Sequence, residues 1–292
     1  MNYCKGHKKI GIVILHYVAL EMTIECIEQL IKTFKSNAEI VIVDNASFNG
    51  SGDILKEKYE RYDYIHVIMN KKNEGFSKGN NIGYSYLKQN YDLEYIIISN
   101  NDVLIKQKNF VELLDSIYNK QYFDVLGPDI INPITGVHQN PSRLAGLNIE
   151  QIQKCVSMYE FQDKHFKRTY IKMKLCDIRD KLLMKKYDSA GWEKYCENPV
   201  LHGACFIFSK KYIEERELAF DPQTFLYVEE DILYYVCKKN NYKMLYSPEL
   251  VIEHLEDVST NSVLKNEYVK RKMKNHQMMI SYKVLLDYIE GC

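Results

Sequence analysis

The chain has 292 residues, enough for one large domain or a domain with a subdomain. Its 39 Lys/Arg balance 39 Asp/Glu, which excludes bulk attraction to nucleic acid, and no nucleic-acid partner is expected. Eight scattered cysteines without a Cys-x-x-Cys pair exclude zinc-site spacing and fit a reducing cytoplasm, and no run reaches the roughly 18 apolar residues of a membrane span.

Past a basic start, Ile10 to Leu15 is an unbroken apolar run ending at His16-Tyr17, a first buried strand. Leu20, Ile24, Ile27, Leu30, Ile31 and Phe34 then recur at helical spacing. A second strand, Glu39 to Val43, runs straight into Asp44-Asn45-Ala46-Ser47. A helix from about Gly52 to Tyr62, a third strand at Ile65 to Met69, and a Gly/Asn-rich loop from Asn73 to Asn81 follow. After a helix to about Gln89, a fourth strand covers Tyr95 to Ser99 and ends in Asn100-Asn101-Asp102.

Strand alternating with helix predicts an α/β fold with a parallel sheet. Right-handed crossovers place the strands' carboxyl ends on one edge, where open α/β sheets bind ligands. His16, Tyr17, Asp44, Asn101 and Asp102 therefore converge on one rim. An Asp among hard oxygen neighbours there suits a divalent cation that in turn holds phosphates. Glycines in the 73–83 stretch let backbone come close to a ligand, and the helix start just beyond favours anions.

After Lys120 the pattern changes. Phe123 to Leu126 reads as a strand closed by Gly127-Pro128, and Asn132-Pro133 and Asn140-Pro141-Ser142-Arg143 mark loops. Residues 149–188 are long, charged and helical. A strand at Ala204 to Phe208 follows His202-Gly203, and a helix spans Glu229 to Lys239. Short strands at Tyr242 to Tyr246 and Leu250 to Ile252 lead to Glu253-His254, and the last thirty or so residues form a basic helix. The basic segments 164–186 and 265–283 are solvated helix faces or contacts for anionic lipid or a lipid-linked diphosphate, so peripheral membrane contact is a candidate.

Seven motifs in this order carry a resemblance: Ile-Val-Ile-Leu-His-Tyr (12–17), Ile-Val-Asp-Asn-Ala-Ser (42–47), Asn-Glu-Gly-Phe-Ser-Lys-Gly-Asn-Asn-Ile-Gly (73–83), Ser-Asn-Asn-Asp-Val (99–103), His-Gly-Ala-Cys-Phe-Ile (202–207), Phe-Leu-Tyr-Val-Glu-Glu-Asp (225–231) and Ile-Glu-His (252–254). Together they resemble family 2 glycosyltransferases, and more narrowly the rhamnosyltransferase-like branch of bacterial polysaccharide assembly. The resemblance implies a GT-A type, Rossmann-like fold with a mostly parallel central sheet, a helical insert and a C-terminal helix. A nucleotide-sugar-binding half is expected over 1–130. An acceptor-binding half is expected over 131–260, with the insert at about 145–195 and a basic helix over 261–292.

The resemblance also implies roles. Asp44 would accept the imide hydrogen of uracil or thymine, as suits an acceptor-only carboxylate. His16, Tyr17, Asn73, Gly75, Asn80 and Asn101 would complete the nucleotide site. Asp102 and His254 would hold Mn2+ or Mg2+, although Asn100 replaces the first acid of the usual Asp-x-Asp pair. Asp231 or Glu230 would serve as base, the choice being open because relatives carry Glu-Asp where this chain has Glu229-Glu230-Asp231. His202, Gly203 and Trp192 are acceptor-side candidates.

The implied reaction is inverting transfer from a UDP- or dTDP-sugar to a glycan or lipid-linked acceptor, in the cytoplasm or at the inner face of the membrane. A sugar nucleotidyltransferase is disfavoured, since no glycine, lysine or arginine follows the first strand at 16–20. A decayed nucleotide- or glycan-binding protein is the remaining rival, and it predicts binding without turnover.

Overall fold

The computed structural model describes residues 9–183, 188–255 and 266–291. The beginning of the expected C-terminal helix (261–265) and part of the insert (184–187) lie outside the described residues. In chain order the elements are β1 (Ile10–His16), α1 (Leu20–Phe34), β2 (Ala38–Asp44), α2 (Ser51–Tyr59), β3 (Ile65–Met69), α3 (Gly75–Asn90), β4 (Tyr95–Asn100), β5 (Val103–Leu104) and α4 (Phe110–Gln121). They continue as β6 (Val125–Ile131), α5 (Ile149–Lys164), α6 (Phe166–Leu183), β7 (Cys196–Glu197), β8 (Cys205–Ser209), α7 (Lys210–Glu215), α8 (Glu229–Lys239), β9 (Met244–His254) and α9 (Glu267–Glu290).

All nine described strands join one sheet in the order β3-β2-β1-β4-β8-β6-β9-β5, with β7 on β9. β1, β2, β3 and β4 are mutually parallel, as apolar strands linked by helices require. β8 runs antiparallel between β4 and β6, and β6 and β9 are again parallel. One reversal of β8 therefore leaves β1, β2, β4, β6 and β9 all ending on the same rim. It also brings the residues that precede β8, His202 and Gly203, to that rim.

The strands are buried on both faces. Ile12, Ile14, Ile40, Ile42 and Ile97 pack under α1, α2 and α4, while Val13, Val41, Val43, Ile96 and Ile98 pack under α3, α7 and α8. This alternation follows from the period-2 geometry of a strand and explains why each run is apolar throughout. A third cluster, Ile152, Val156, Val228, Ile232, Val236, Tyr282 and Leu285, joins α5, α8 and α9 into a helical layer.

Three expectations change. The glycine stretch is not a loop, because α3 begins at Gly75. Gly79 and Gly83, four residues apart, share one helix face and lie against Leu15 and Val13, so the glycines serve close helix–sheet packing. Gly75 has φ +79 and lies against the Phe225 carbonyl rather than an open ligand cleft. Second, β6 passes through Gly127-Pro128 instead of stopping there, with Pro128 at a register shift against β9 that absorbs its missing donor. Third, the two short strands after Tyr242 are one strand, β9, interrupted by that same irregularity.

Candidate active site

Asp102 follows the turn after β4, and His254 ends β9; β5 pairs Val103 with His254 and so fixes the two side by side. His254 Nε2 lies 3.3 Å from Asp102 Oδ1. Asp102 Oδ1 is buried and makes no hydrogen bond. The other ring nitrogen, Nδ1, is 2.9 Å from Gln139 Oε1, and with its proton on Nδ1 the neutral ring turns the Nε2 lone pair towards Asp102. Two electron-pair donors facing across this gap fit a divalent cation. No cluster of three or more His, Cys, Asp or Glu suited to a metal occurs among the described residues, so further coordination would fall to water and phosphate oxygens.

His202 stands next to this pair, its ring 5.6 Å from that of His254. Its Nδ1 accepts from the Ala204 N–H, and its own backbone N–H donates to Asn140 Oδ1 at 2.8 Å. Asn140 is fully buried and also donates to the Pro128 carbonyl. Burial pushes the His202 pKa down to about 4, so the ring is neutral near pH 7.

The three acids at the start of α8 have three different environments. Glu229 is buried, with Oε1 unpaired, and burial together with Glu230 pushes its pKa up to about 8. Asp231 is also buried and accepts a hydrogen bond from the Arg143 guanidinium. Burial raises its pKa, and Arg143 pulls it back down. Glu230 is half-buried, and its Oε2 lies 3.8 Å from where a Cβ on Gly203 would be. Burial and the Asp231 charge raise the Glu230 pKa, which suits a proton acceptor. The Arg143 ion pair thus separates two adjacent acids that the sequence leaves equivalent.

The turn before α8 is strained. Tyr227 and Val228 have φ of 72° and 68°, a conformation costly for side-chain-bearing and especially β-branched residues. Helix α9 holds this turn: Ser281 Oγ donates to the Leu226 carbonyl at 2.8 Å, Val228 packs in the helical layer, and Lys274 lies over the Tyr227 ring.

On the rim at β1 and β2, Asp44 ends β2 and accepts from the Ser47 N–H at 3.2 Å, capping the turn that follows. His16 is completely buried, with its ring nitrogens 2.7 and 2.8 Å from the Thr23 and Ser51 hydroxyls. Asn101 donates to the same Thr23 hydroxyl. Asn80 is buried and donates to the Phe76 carbonyl within α3. His16, Asn80 and Asn101 are thus as buried as Asp44 and Asp102, and each makes a side-chain hydrogen bond that braces the rim from within.

Asn73 Oδ1 accepts from Asn45 Nδ2 and the Gly75 N–H. Asn45 is a hub that sequence reasoning missed: its amide also receives Asn70 Nδ2 and the Glu74 N–H, tying β2 to the start of α3. Its signal was position, directly after Asp44. A second missed residue is Phe48, 75% exposed on the rim loop and edge-on to Tyr17 at 6.4 Å. Such a ring is a ready stacking platform for a planar base.

Trp192 is half-buried and stacks on His138 with ring centroids 3.5 Å apart. His138 Nδ1 is 2.9 Å from both Asp129 oxygens, so one face of the indole is already covered.

Comparison with known proteins follows the same lines. The glycosyltransferase GlyG of Streptococcus pneumoniae serotype 4 is 27% identical over 118 residues, covering 40% of this chain and 38% of GlyG. The low-salt glycan biosynthesis hexosyltransferase Agl10 of Haloferax volcanii is 29% identical over 135 residues, covering 45% of this chain and 41% of Agl10. The matched segments thus span well under half the length of either relative. GalNAc-T7, solved with UDP, GalNAc and Mn2+, superposes with a TM-score of 0.57 over 84% of this chain and 43% of that one, at 16% identity. The shared architecture is the GT-A fold. Residues 11–216 match the model for glycosyl transferase family 2. That span covers more than half of the chain, which places this protein in glycosyl transferase family 2.

Proposed function

We propose that the chain is a glycosyltransferase that moves a sugar from a UDP- or dTDP-sugar to a glycan or lipid-linked acceptor with inversion, using Glu230 as base. The observation that carries this reading is the position of Glu230. It is the one carboxylate of its trio that is neither hydrogen-bonded to Arg143 nor buried, and it faces Gly203 beside the His202–His254–Asp102 group.

In the reaction, an acceptor hydroxyl oxygen forms a bond to the anomeric carbon from the face opposite the leaving group. The bond from that carbon to the diphosphate oxygen breaks, and its electron pair leaves with the nucleoside diphosphate. The acceptor's proton passes to Glu230. Asp102 and His254 would hold a divalent cation, which supplies Lewis-acid stabilisation of the departing diphosphate. Neutral His202 and Gly203 form the floor between base and donor. Tyr17 and Phe48 would flank the base of the nucleotide, with Asp44 reading its imide. Mn2+ in the GalNAc-T7 complex supports the choice of metal.

The test is calorimetric titration of the native protein and Glu230→Gln with UDP, dTDP and GDP, with and without Mn2+. It is paired with a donor screen read by release of nucleoside diphosphate. Metal-dependent preference for UDP or dTDP in both proteins, with turnover in the native alone, is expected. A preference for GDP would overturn the Asp44 role, and an active Glu230→Gln the base.

A further inference from the structure

We propose that the outer face of α6, with the corner where it leaves α5, is a docking surface for anionic lipid headgroups. The inner face of α6 is occupied. Phe166 and Tyr170 meet the Tyr268 ring edge-on, Lys174 bonds Glu267, and Asp177 accepts from Arg271 at 2.6 Å. Helical spacing turns Arg168, Ile171, Lys172 and Leu175 the other way. Ile171 is 64% and Leu175 63% exposed, and Phe161, near the end of α5, is 59% exposed.

Cations surround these apolar side chains. Lys164, Lys167, Arg168 and Lys172 are exposed, and none joins an ion pair among the described residues. The C-terminal helix differs, because Arg271 pairs with Asp177 and Glu267, and Lys283 with Glu160. The fold pairs Lys174 and part of the C-terminal helix's charge and leaves these four cations without an ion pair among the described residues.

Large apolar side chains set among unpaired cations on a helix face match the interface of an anionic bilayer. A second copy of the chain fits poorly. A two-fold contact through this face would press Lys164, Lys167, Arg168 and Lys172 against their own counterparts. No described helix is long and apolar enough to cross a membrane, so the contact would be with the lipid surface. Each cation near such a surface strengthens binding roughly fivefold, and four together by a factor on the order of 10²–10³. Helix α9, on which α6 packs, also packs with Val228 and Ile232 at the start of α8, so docking would bring a lipid-linked acceptor to the side of the molecule that holds the proposed base.

Flotation of the full chain with vesicles tests this independently of any transfer reaction. The protein should float with phosphatidylcholine vesicles containing about 30% phosphatidylglycerol and not with phosphatidylcholine alone, and about 0.5 M NaCl should release it. Arg168→Glu/Lys172→Glu and Ile171→Asp/Leu175→Asp should each lower partitioning at least roughly tenfold, with the circular dichroism spectrum and UDP affinity unchanged. Equal flotation of variants and native protein, or no preference for the anionic vesicles, would overturn the proposal. So would a concentration-dependent dimer in sedimentation velocity that Ile171→Asp/Leu175→Asp abolishes, which would assign the face to a second copy.

Discussion

The Arg143 guanidinium, on a loop between β6 and α5, donates to Asp231 in the first turn of α8. Eighty-eight positions apart in sequence, the two form a strut between the loop after β6 and the helix that bears Glu230. Arg143 also exchanges backbone hydrogen bonds with Val200, just before the His202-Gly203 turn. One residue thus ties together the start of α8 and the segment that leads into His202-Gly203.

Glu230→Gln should cut turnover by about 10²–10⁴-fold, the usual worth of a general base, and leave nucleotide affinity unchanged. Asp231→Asn should act through stability instead. It leaves a guanidinium without its counterion, at a cost of roughly 1–3 kcal/mol, less than for a fully buried pair because Arg143 meets water on one side. Urea unfolding and nucleotide titration of the two variants separate these effects.

The acid limb of the kcat/KM profile should titrate above the ordinary carboxylate range, because burial and Asp231 raise the Glu230 pKa. Arg143 works in the opposite direction on Glu230. Arg143→Met should therefore move that limb to higher pH, and Arg143→Lys should largely restore it. A pH–rate series on the three proteins reads the shift.

Glu229 gives a stability signature. Its folded pKa of about 8 lies above the unfolded value, so the native state binds more protons across that window. Stability should fall as pH rises from about 4.5 to 8, by a few kcal/mol at most, and level off beyond. Glu229→Gln should flatten the slope and raise Tm at pH 8, as a melting series against pH would show.

Asp102→Ala should lower Mn2+-dependent UDP affinity at least roughly tenfold and leave metal-free affinity alone. It should cost little stability, since the buried Oδ1 makes no hydrogen bond to lose. Calorimetry with and without chelator, alongside a melting curve, checks both halves.

Gly83→Ala separates packing from ligand contact in α3. A Cβ there would lie 2.5 Å from Val13 Cγ1 and 3.1 Å from Val43 Cγ2, an overpacking expected to cost about 1–3 kcal/mol. UDP affinity of the folded protein should be unchanged, and denaturant unfolding gives the stability loss.

The strands of the first hundred residues were legible because each is an apolar run closed by a polar turn, and parallel topology then dictates a common rim. Asp102 and His254 could be paired only through resemblance, since nothing local in Ile252-Glu253-His254 points to residue 102. The glycines of α3 were misread for a physical reason: close approach to a ligand and close approach to a strand need the same missing Cβ. The choice between Glu230 and Asp231 was invisible because it depends on Arg143, a contact no spacing rule reports. His16 and Asn101 looked like rim residues, but Thr23 draws both inward.

The left-handed pair Tyr227-Val228 has a consequence for the order in which the site comes into being. Such a turn does not persist by its own preference; Ser281, Lys274 and the contacts around Tyr282 hold it, all on α9, which follows the turn in the chain. The strands β1 to β4 are complete in sequence by Asn100, whereas the turn that leads into Glu230 waits for α9. During synthesis the start of α8 would therefore take its final form only once α9 has been made.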